Sequence, residues 1–170
     1  MKEPMNRLIW IFILFVASIL LFGEEDDSKK GIVTYADGQV KRRPIEQEGW
    51  ENAPVNTEVL SGDKVRTYRM SRAELDLAQL DIIRLAPRTI IDIIKLYQET
   101  KEKKLETEID IEQGEIWASV HEVEVDTKFD ISAPITAAAI TGTTLRMKVE
   151  EDSTTQLKVY KGEREKGKVS

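Results

Sequence analysis

The sequence predicts an all-β fold, an antiparallel β-roll or jelly-roll-like sandwich of about 10–12 short strands, preceded by one N-terminal hydrophobic helix. Three observations lead to this prediction. Short runs alternate apolar and charged residues, Gly, Pro, Asn and Asp separate the runs, and one long uncharged stretch lies near the N-terminus. Alternation with a period of two puts the apolar side chains on one face of a strand. We therefore expect a sheet with one buried face and one solvated face.

The uncharged stretch lies at residues 8–22 and reads LIWIFILFVASILLF. Basic residues precede it and four acidic residues, 24–27, follow it, an arrangement that predicts export of the rest of the chain. Its length suits a signal-peptide apolar region and is short for a membrane span. We expect residues 1–23 to be a signal peptide or membrane anchor. The protein should then be extracytoplasmic, periplasmic or at the cell surface, and tethered to the cytoplasmic membrane unless the signal is cleaved.

Beyond a charged linker at residues 24–30, short alternating runs are separated by turn-forming residues, which is typical of strands joined by turns. Residues 73–77 and 105–112 alternate apolar and charged residues without interruption, so each predicts a strand with one buried face. Residues 90–97 contain four isoleucines and a tyrosine in a mixed pattern. We interpret them as a buried strand, because β-branched side chains crowd the preceding turn of a helix.

A hairpin is predicted near the start of this region. The runs at residues 32–35 and 40–43 flank the dipeptide Asp37-Gly38. Asp-Gly favours the primed turns that join two neighbouring antiparallel strands, because glycine adopts positive φ at little cost. The two runs are therefore expected to pair with each other.

The composition argues against several classes of function. The chain has no cysteine and a single histidine, His121, which leaves little for a thiolate or imidazole metal site or for a histidine-based triad. It contains no P-loop and no dinucleotide-binding glycine fingerprint. The net charge is −6, and the short basic clusters stand beside Glu or Pro as in solvated turns. We expect no enzymatic activity, no cofactor, no metal and no nucleic-acid partner.

One segment stands out as a candidate protein-docking surface. Arg66, Tyr68, Arg69 and Arg72 form the densest mixture of arginine and aromatic residues in the chain, and both types are enriched at binding hot spots. A solvated loop without a partner is the alternative interpretation. Trp50 and Trp117 are expected to fill the core or a sheet face, because a β domain of this size needs large apolar groups.

An ordered series of short motifs runs through the predicted β domain. In chain order these are Gly38 with Val40, Trp50 with Ala53, LSGDKVRT at 60–67, SRAEL at 71–75, IRLAP at 83–87, GEIW at 114–117, TAAA at 136–139 with TGT at 141–143, and YKGE at 160–163. This order resembles the FecR domain, a family known from periplasmic regulators of iron-transport sigma factors and from exported proteins of unassigned role. The resemblance implies a FecR-like β domain over residues 31–165, followed by a tail at 166–170.

The resemblance also implies a role. It points to an extracytoplasmic protein-binding module with a sensory, regulatory or scaffolding role in the cell envelope, whose partner is another envelope protein. Sigma-regulating relatives carry a cytoplasmic segment, and the few residues before the apolar stretch are too short to form one, so signalling would need a partner. The alternative is a structural or glycan-binding envelope domain. Exposed Trp or Tyr over carboxylates would favour a cell-wall glycan, and an apolar edge rimmed by charge would favour a protein.

Overall fold

The structure is a computed structural model that describes residues 30–77, 81–99, 105–121, 127–140 and 142–160. These residues form thirteen β-strands and no helix, which confirms the all-β class. The strands are β1 (Gly31–Asp37), β2 (Val40–Arg43), β3 (Glu51–Asn52), β4 (Glu58–Val59), β5 (Lys64–Thr67), β6 (Arg72–Leu77), β7 (Asp81–Leu85), β8 (Ile90–Glu99), β9 (Leu105–Ser119), β10 (Thr127–Ala133), β11 (Thr136–Ile140), β12 (Thr144–Val149) and β13 (Thr155–Tyr160). Their number slightly exceeds the prediction, and β8 and β9, with 10 and 15 residues, are longer than expected.

The predicted N-terminal helix, most of the linker and the C-terminal tail lie outside the described residues. Within the described ranges, no helix has the length and hydrophobicity needed to cross a membrane. Export, cleavage of residues 1–23 and the domain limits at 31 and 165 therefore stay predictions.

The strands form one curled sheet with two halves that share the long strand β9. Half A has the order β4-β1-β6-β7-β9-β12-β13, and half B has the order β3-β2-β5-β8-β9-β10-β11. Residues 105–113 of β9 pair in half B, and residues 114–119 pair in half A. The architecture is a sheet folded over on itself, and its strands are antiparallel with one exception.

The exception is the pair of β9 and β10, which is parallel and in register from Thr127 beside Leu105 to Ser132 beside Asp110. The chain leaves β9 in half A and begins β10 alongside the start of β9 in half B, so both strands run in the same direction. The wholly antiparallel sheet that we expected is wrong here. Alternation of side chains is the same in both kinds of pairing, so the sequence pattern could not show the difference.

The predicted hairpin of β1 and β2 is also wrong. Strand β1 pairs with β6 and β4 in half A, whereas β2 pairs with β5 and β3 in half B. Gly38 has a φ of +73°, and a Cβ built on it would lie 2.5 Å from the Ser71 hydroxyl oxygen. Asp37-Gly38 therefore takes the chain from one half to the other, and the glycine is needed for its positive φ and for the close approach of Ser71.

The core lies between the two halves and draws on strands of both. Its largest fully buried side chains are Leu75, Leu77, Ile83, Leu85, Ile91, Ile93, Leu96, Ile109, Ile111, Ile116, Ile131 and Leu145. The alternating runs of β6 and β9 bury Ala73, Leu75, Leu77, Ile109 and Ile111, as predicted. Strand β8 is the predicted strand of mixed pattern, and three register shifts against β9 account for its irregular order of side chains.

A buried carboxyl group, that of Asp63, lies immediately before β5 of half B, and its side chain is 3% exposed. It accepts a hydrogen bond from the backbone N–H of Leu60 at 2.9 Å, and a nitrogen of Arg42 is 3.6 Å away. Burial raises the pKa of Asp63 above its ordinary 3.8, and the Leu60 N–H and the Arg42 charge offset part of this rise.

Replacing Asp63 by asparagine is expected to change how the free energy of unfolding depends on pH. The unfolded chain ionises Asp63 near pH 3.8, whereas the folded protein holds the proton to higher pH. Wild type should therefore lose stability, relative to the variant, as the pH rises above 3.8. Urea unfolding of both proteins across about pH 3 to 7 measures the difference. A difference that is constant over this range, or that changes in wild type's favour, would contradict the assignment.

Candidate protein-binding surface

Four segments of the chain cross from half to half side by side, along a line that we call the corner. Each has a residue with positive φ, namely Gly38 (+73°), Met70 (+59°), Arg88 (+60°) and Gly114 (+91°). Backbone hydrogen bonds join neighbouring crossings, from Tyr68 N–H to the carbonyl of Gln39 and from Arg88 N–H to the carbonyl of Tyr68, both at 3.2 Å. A third, from Ala86 N–H to the carbonyl of Glu115 at 3.0 Å, joins the fourth crossing, so the corner is a continuous hydrogen-bonded bend.

Buried hydroxyl groups hold the corner from inside. Ser71 Oγ accepts the N–H of Gln39 at 2.9 Å, and Thr67 Oγ1 accepts the N–H of Thr89 at 3.0 Å. Thr89 Oγ1 in turn accepts the N–H of Glu115 at 3.0 Å. Because the three hydroxyl residues are at most 1% exposed, these bonds face little competition from water. The side chains on the outer surface of the corner therefore project from a backbone that these hydrogen bonds hold in place.

The structure brings the four residues of the predicted docking surface to the corner. Arg66 and Tyr68 lie on the outer side of half B, with the guanidinium of Arg66 4.5 Å from the centroid of the Tyr68 ring. Arg69 and Arg72 are exposed on either side of Met70 and Ser71. Arg69 and Arg72, but not Arg66 and Tyr68, line a shallow recess whose other residues are Asp37, Met70, Pro87 and Arg88.

Arg43 and Trp50 extend this surface across half B, although the sequence did not assign them to it. The ring of Trp50 lies beside two guanidinium groups, with its centroid 5.5 Å from Arg43 and 6.0 Å from Arg66. Trp50 is half-buried, so the expectation of sheet-face packing is met. The ring also holds two arginines in place through cation–π contacts.

Arg88 and Met70 are the other additions. Arg88 follows the IRLAP motif and reaches the corner from the crossing between β7 and β8. The side chain of Met70 is 79% exposed. We call the whole set the arginine surface, and its members are Arg43, Trp50, Arg66, Tyr68, Arg69, Met70, Arg72 and Arg88.

The ion pairs distinguish this surface from the rest of the described chain. Arg42, Arg84 and Arg146 each contact a glutamate carboxylate, at 2.9, 2.7 and 2.7 Å. Within the described ranges, the arginines without an ion pair are Arg43, Arg66, Arg69, Arg72 and Arg88. All five belong to the arginine surface. A protein with a net charge of −6 therefore concentrates its uncompensated arginines in one place.

A second aromatic group lies on the outer face of half A. The rings of Trp117 and Tyr160 are stacked, with centroids 4.9 Å apart and planes at 22°. Arg146 binds both carboxylate oxygens of Glu115, at 2.8 and 2.7 Å, and this pair raises the pKa of Arg146. The ammonium of Lys158 is 5.0 Å from the centroid of Tyr160. Trp117 thus packs on a sheet face, as expected, beside a carboxylate.

The single histidine lies at the surface, next to the buried pair of Asp81 and Tyr97. His121 is exposed, and its backbone N–H donates to Asp81 Oδ1 at 3.0 Å. The hydroxyl of Tyr97 donates to the other oxygen of Asp81 at 2.6 Å, and burial raises the pKa of Tyr97. Among the residues that the structure describes, no group of three or more His, Cys, Asp or Glu is arranged to hold a metal ion.

Comparison with known proteins agrees with the motif series. The family model described as FecR protein matches residues 63–163, more than half of the chain. Searches of curated proteins and of solved structures found no match. The matched region contains three of the four crossings of the corner and the long strand β9. The chain belongs to the FecR family of signalling-related envelope domains.

Proposed function

We propose that this protein is an extracytoplasmic module that binds another envelope protein in a sensory, regulatory or scaffolding role. Residues 1–23 would tether it to the cytoplasmic membrane or direct its export, and the β domain would act without enzymatic activity or cofactor. The docking surface would be the arginine surface, centred on Arg66, Tyr68, Arg69 and Arg72. The observation that carries this proposal is the collection of five arginines without ion pairs, two of them beside Trp50 or Tyr68 and three around the recess of the corner.

The residue types and their arrangement support binding to a protein. Trp, Tyr and Arg dominate binding hot spots, because they offer large contact areas and several donors. Cation–π contacts of Arg43 and Arg66 with Trp50 favour one placement of these long side chains before a partner arrives, which reduces the entropy that binding would cost. The hydroxyl bonds of the corner do the same for the backbone beneath Arg69 and Arg72.

The test is capture of partners by the full-length protein from chemically crosslinked membranes. We expect wild type to retain a specific inner- or outer-membrane protein. The triple variant Arg66→Gln, Arg69→Gln, Arg72→Gln should reduce its recovery at least about tenfold, since charged contacts of this kind control association. All three side chains lie outside the core, so the variant should keep the far-UV circular dichroism spectrum and thermal midpoint of wild type.

The matched control removes the same number of positive charges elsewhere, through Lys128→Gln, Lys148→Gln and Lys158→Gln. These lysines lie on β10, β12 and β13, and none of them belongs to the arginine surface, so the control should capture the partner as wild type does. Equal loss in both variants would point to net charge rather than to the arginine surface. Recovery of cell-wall fragments alone, or of nothing above background, would contradict the proposal.

Glycan binding is the second candidate, favoured by the Trp117–Tyr160 stack beside the Glu115 carboxylate. Aromatic rings next to carboxylates are the groups expected on a sugar-binding face. Binding of full-length wild type and of Trp117→Ala to purified cell-wall fragments decides between the two. Loss of binding in Trp117→Ala, with the arginine triple variant unaffected, would favour the glycan.

A further inference from the structure

We infer that the arginine surface recognises an acidic, extended segment of its partner protein, whose carboxylates pair with the free guanidinium groups. This inference rests on the proposed function and adds the chemical class of what is bound. Only one carboxylate, that of Asp37, lines the recess together with Arg69, Arg72 and Arg88, and it forms no ion pair among the described residues. The recess is therefore short of negative charge, which a partner can supply.

The geometry of the arginines suits carboxylates. A guanidinium that stacks on an aromatic ring keeps its N–H groups in the ring-parallel plane, where a carboxylate can accept two of them. Arg66 stands in this relation to Tyr68 at 4.5 Å, and Arg43 and Arg66 both approach Trp50. Among the described residues, no hydrogen bond or ion pair occupies the N–H groups of Arg43 and Arg66, so these donors are available at the surface.

The spacing of the arginines suits an extended chain. In the register of β2 on β5, Arg43 is opposite Lys64, two residues before Arg66, so Arg43 and Arg66 are diagonal neighbours about 7–8 Å apart. Alternate residues of an extended segment repeat at about 7 Å. Acidic residues on one face of such a segment could follow the arginines from half B toward the corner.

The position of the surface favours a protein over the tethering membrane. Strand β1 begins at Gly31, where the N-terminal residues join the domain, and ends at Asp37 beside the recess. Its length puts the corner about 20 Å from that point of attachment. The exposed side chain of Met70, between Arg69 and Arg72, adds an apolar contact for a partner.

Site-specific photo-crosslinking of the full-length protein in cells tests the inference. A photoreactive phenylalanine derivative replaces Met70 in one protein and Ile135, on the turn between β10 and β11, in another. Both native side chains are exposed apolar groups, 79% and 70% accessible. Crosslinked peptides are identified by mass spectrometry. We expect position 70 to capture a partner segment rich in Asp and Glu, and position 135 to capture none.

The triple variant Arg66→Gln, Arg69→Gln, Arg72→Gln allows the yield of this crosslink to be compared quantitatively. In the Met70 crosslinking background it should lower the yield of the acidic crosslink at least about tenfold, and the lysine control should leave the yield unchanged. A segment that is neutral or basic, or a lipid adduct, at position 70 would overturn the inference. Capture of a protein at position 135 but not at 70 would overturn it while leaving partner binding intact. No protein at either position would overturn the proposed function itself.

Discussion

Replacing Gly114 by valine is expected to lower the free energy of unfolding by roughly 3–5 kcal/mol, from positive-φ strain and overpacking together. Gly114 lies within β9, where the strand bends from half B into half A, with a φ of +91°. A Cβ at this position would lie 2.5 Å from Thr89 Cα and 2.6 Å from the carbonyl oxygen of Arg88. Both neighbours are backbone atoms of the next crossing, so they cannot yield without moving the corner.

Urea unfolding followed by circular dichroism measures this effect, with Gly49→Val as the matched control. Gly49 has no atom within 4 Å of a built Cβ and no positive φ, so its substitution should change the free energy of unfolding by less than about 0.5 kcal/mol. A typical domain has only about 5–15 kcal/mol of stability, so Gly114→Val should shift the midpoint strongly or prevent recovery of folded protein. Equal stability of the two variants would show that β9 does not need glycine at its bend.

Replacing Ile111 by alanine is expected to cost about 2–5 kcal/mol of unfolding free energy. Ile111 is fully buried in β9 and is paired in register with Ile91 of β8. Truncation removes apolar contacts and leaves a cavity that neighbouring strands cannot fill without changing the register of the sheet.

The control for this prediction is Ile135→Ala, which removes the same atoms from a side chain that is 70% exposed. Its effect should stay within about 0.5 kcal/mol. Thermal and urea unfolding of both variants give the comparison. If the two substitutions cost the same, the assignment of Ile111 to the shared core of the two halves is wrong.

The strands that the sequence predicted well are those whose alternation is strict. In β6 and in the first half of β9, a period of two fixes which side chains face the core, and the structure buries the residues expected. Periodicity carries no information on which strands are neighbours. The sequence pattern therefore predicts a hairpin at Asp37-Gly38, although this segment joins two halves of the sheet. The same pattern does not indicate the parallel pairing of β10.

The same limit applies to the arginine surface. Arg66, Tyr68, Arg69 and Arg72 are neighbours in sequence, so local composition was enough to single them out. Arg43, Trp50 and Arg88 come from other segments and join the surface through strand register and through the crossings of the corner. Their contribution requires knowledge of long-range pairing, which one sequence without its fold does not provide.

The bend of β9 has a mechanical consequence. An unbroken strand of 15 residues runs through both halves, so any tilt of one half relative to the other must strain the same backbone. We therefore expect the two halves to move together as one rigid body rather than to rotate apart. A force applied at the bend of β9 would be transmitted along the strand to its ends without loosening the core. Backbone amides on both sides of Gly114 should accordingly exchange with solvent as one cooperative unit.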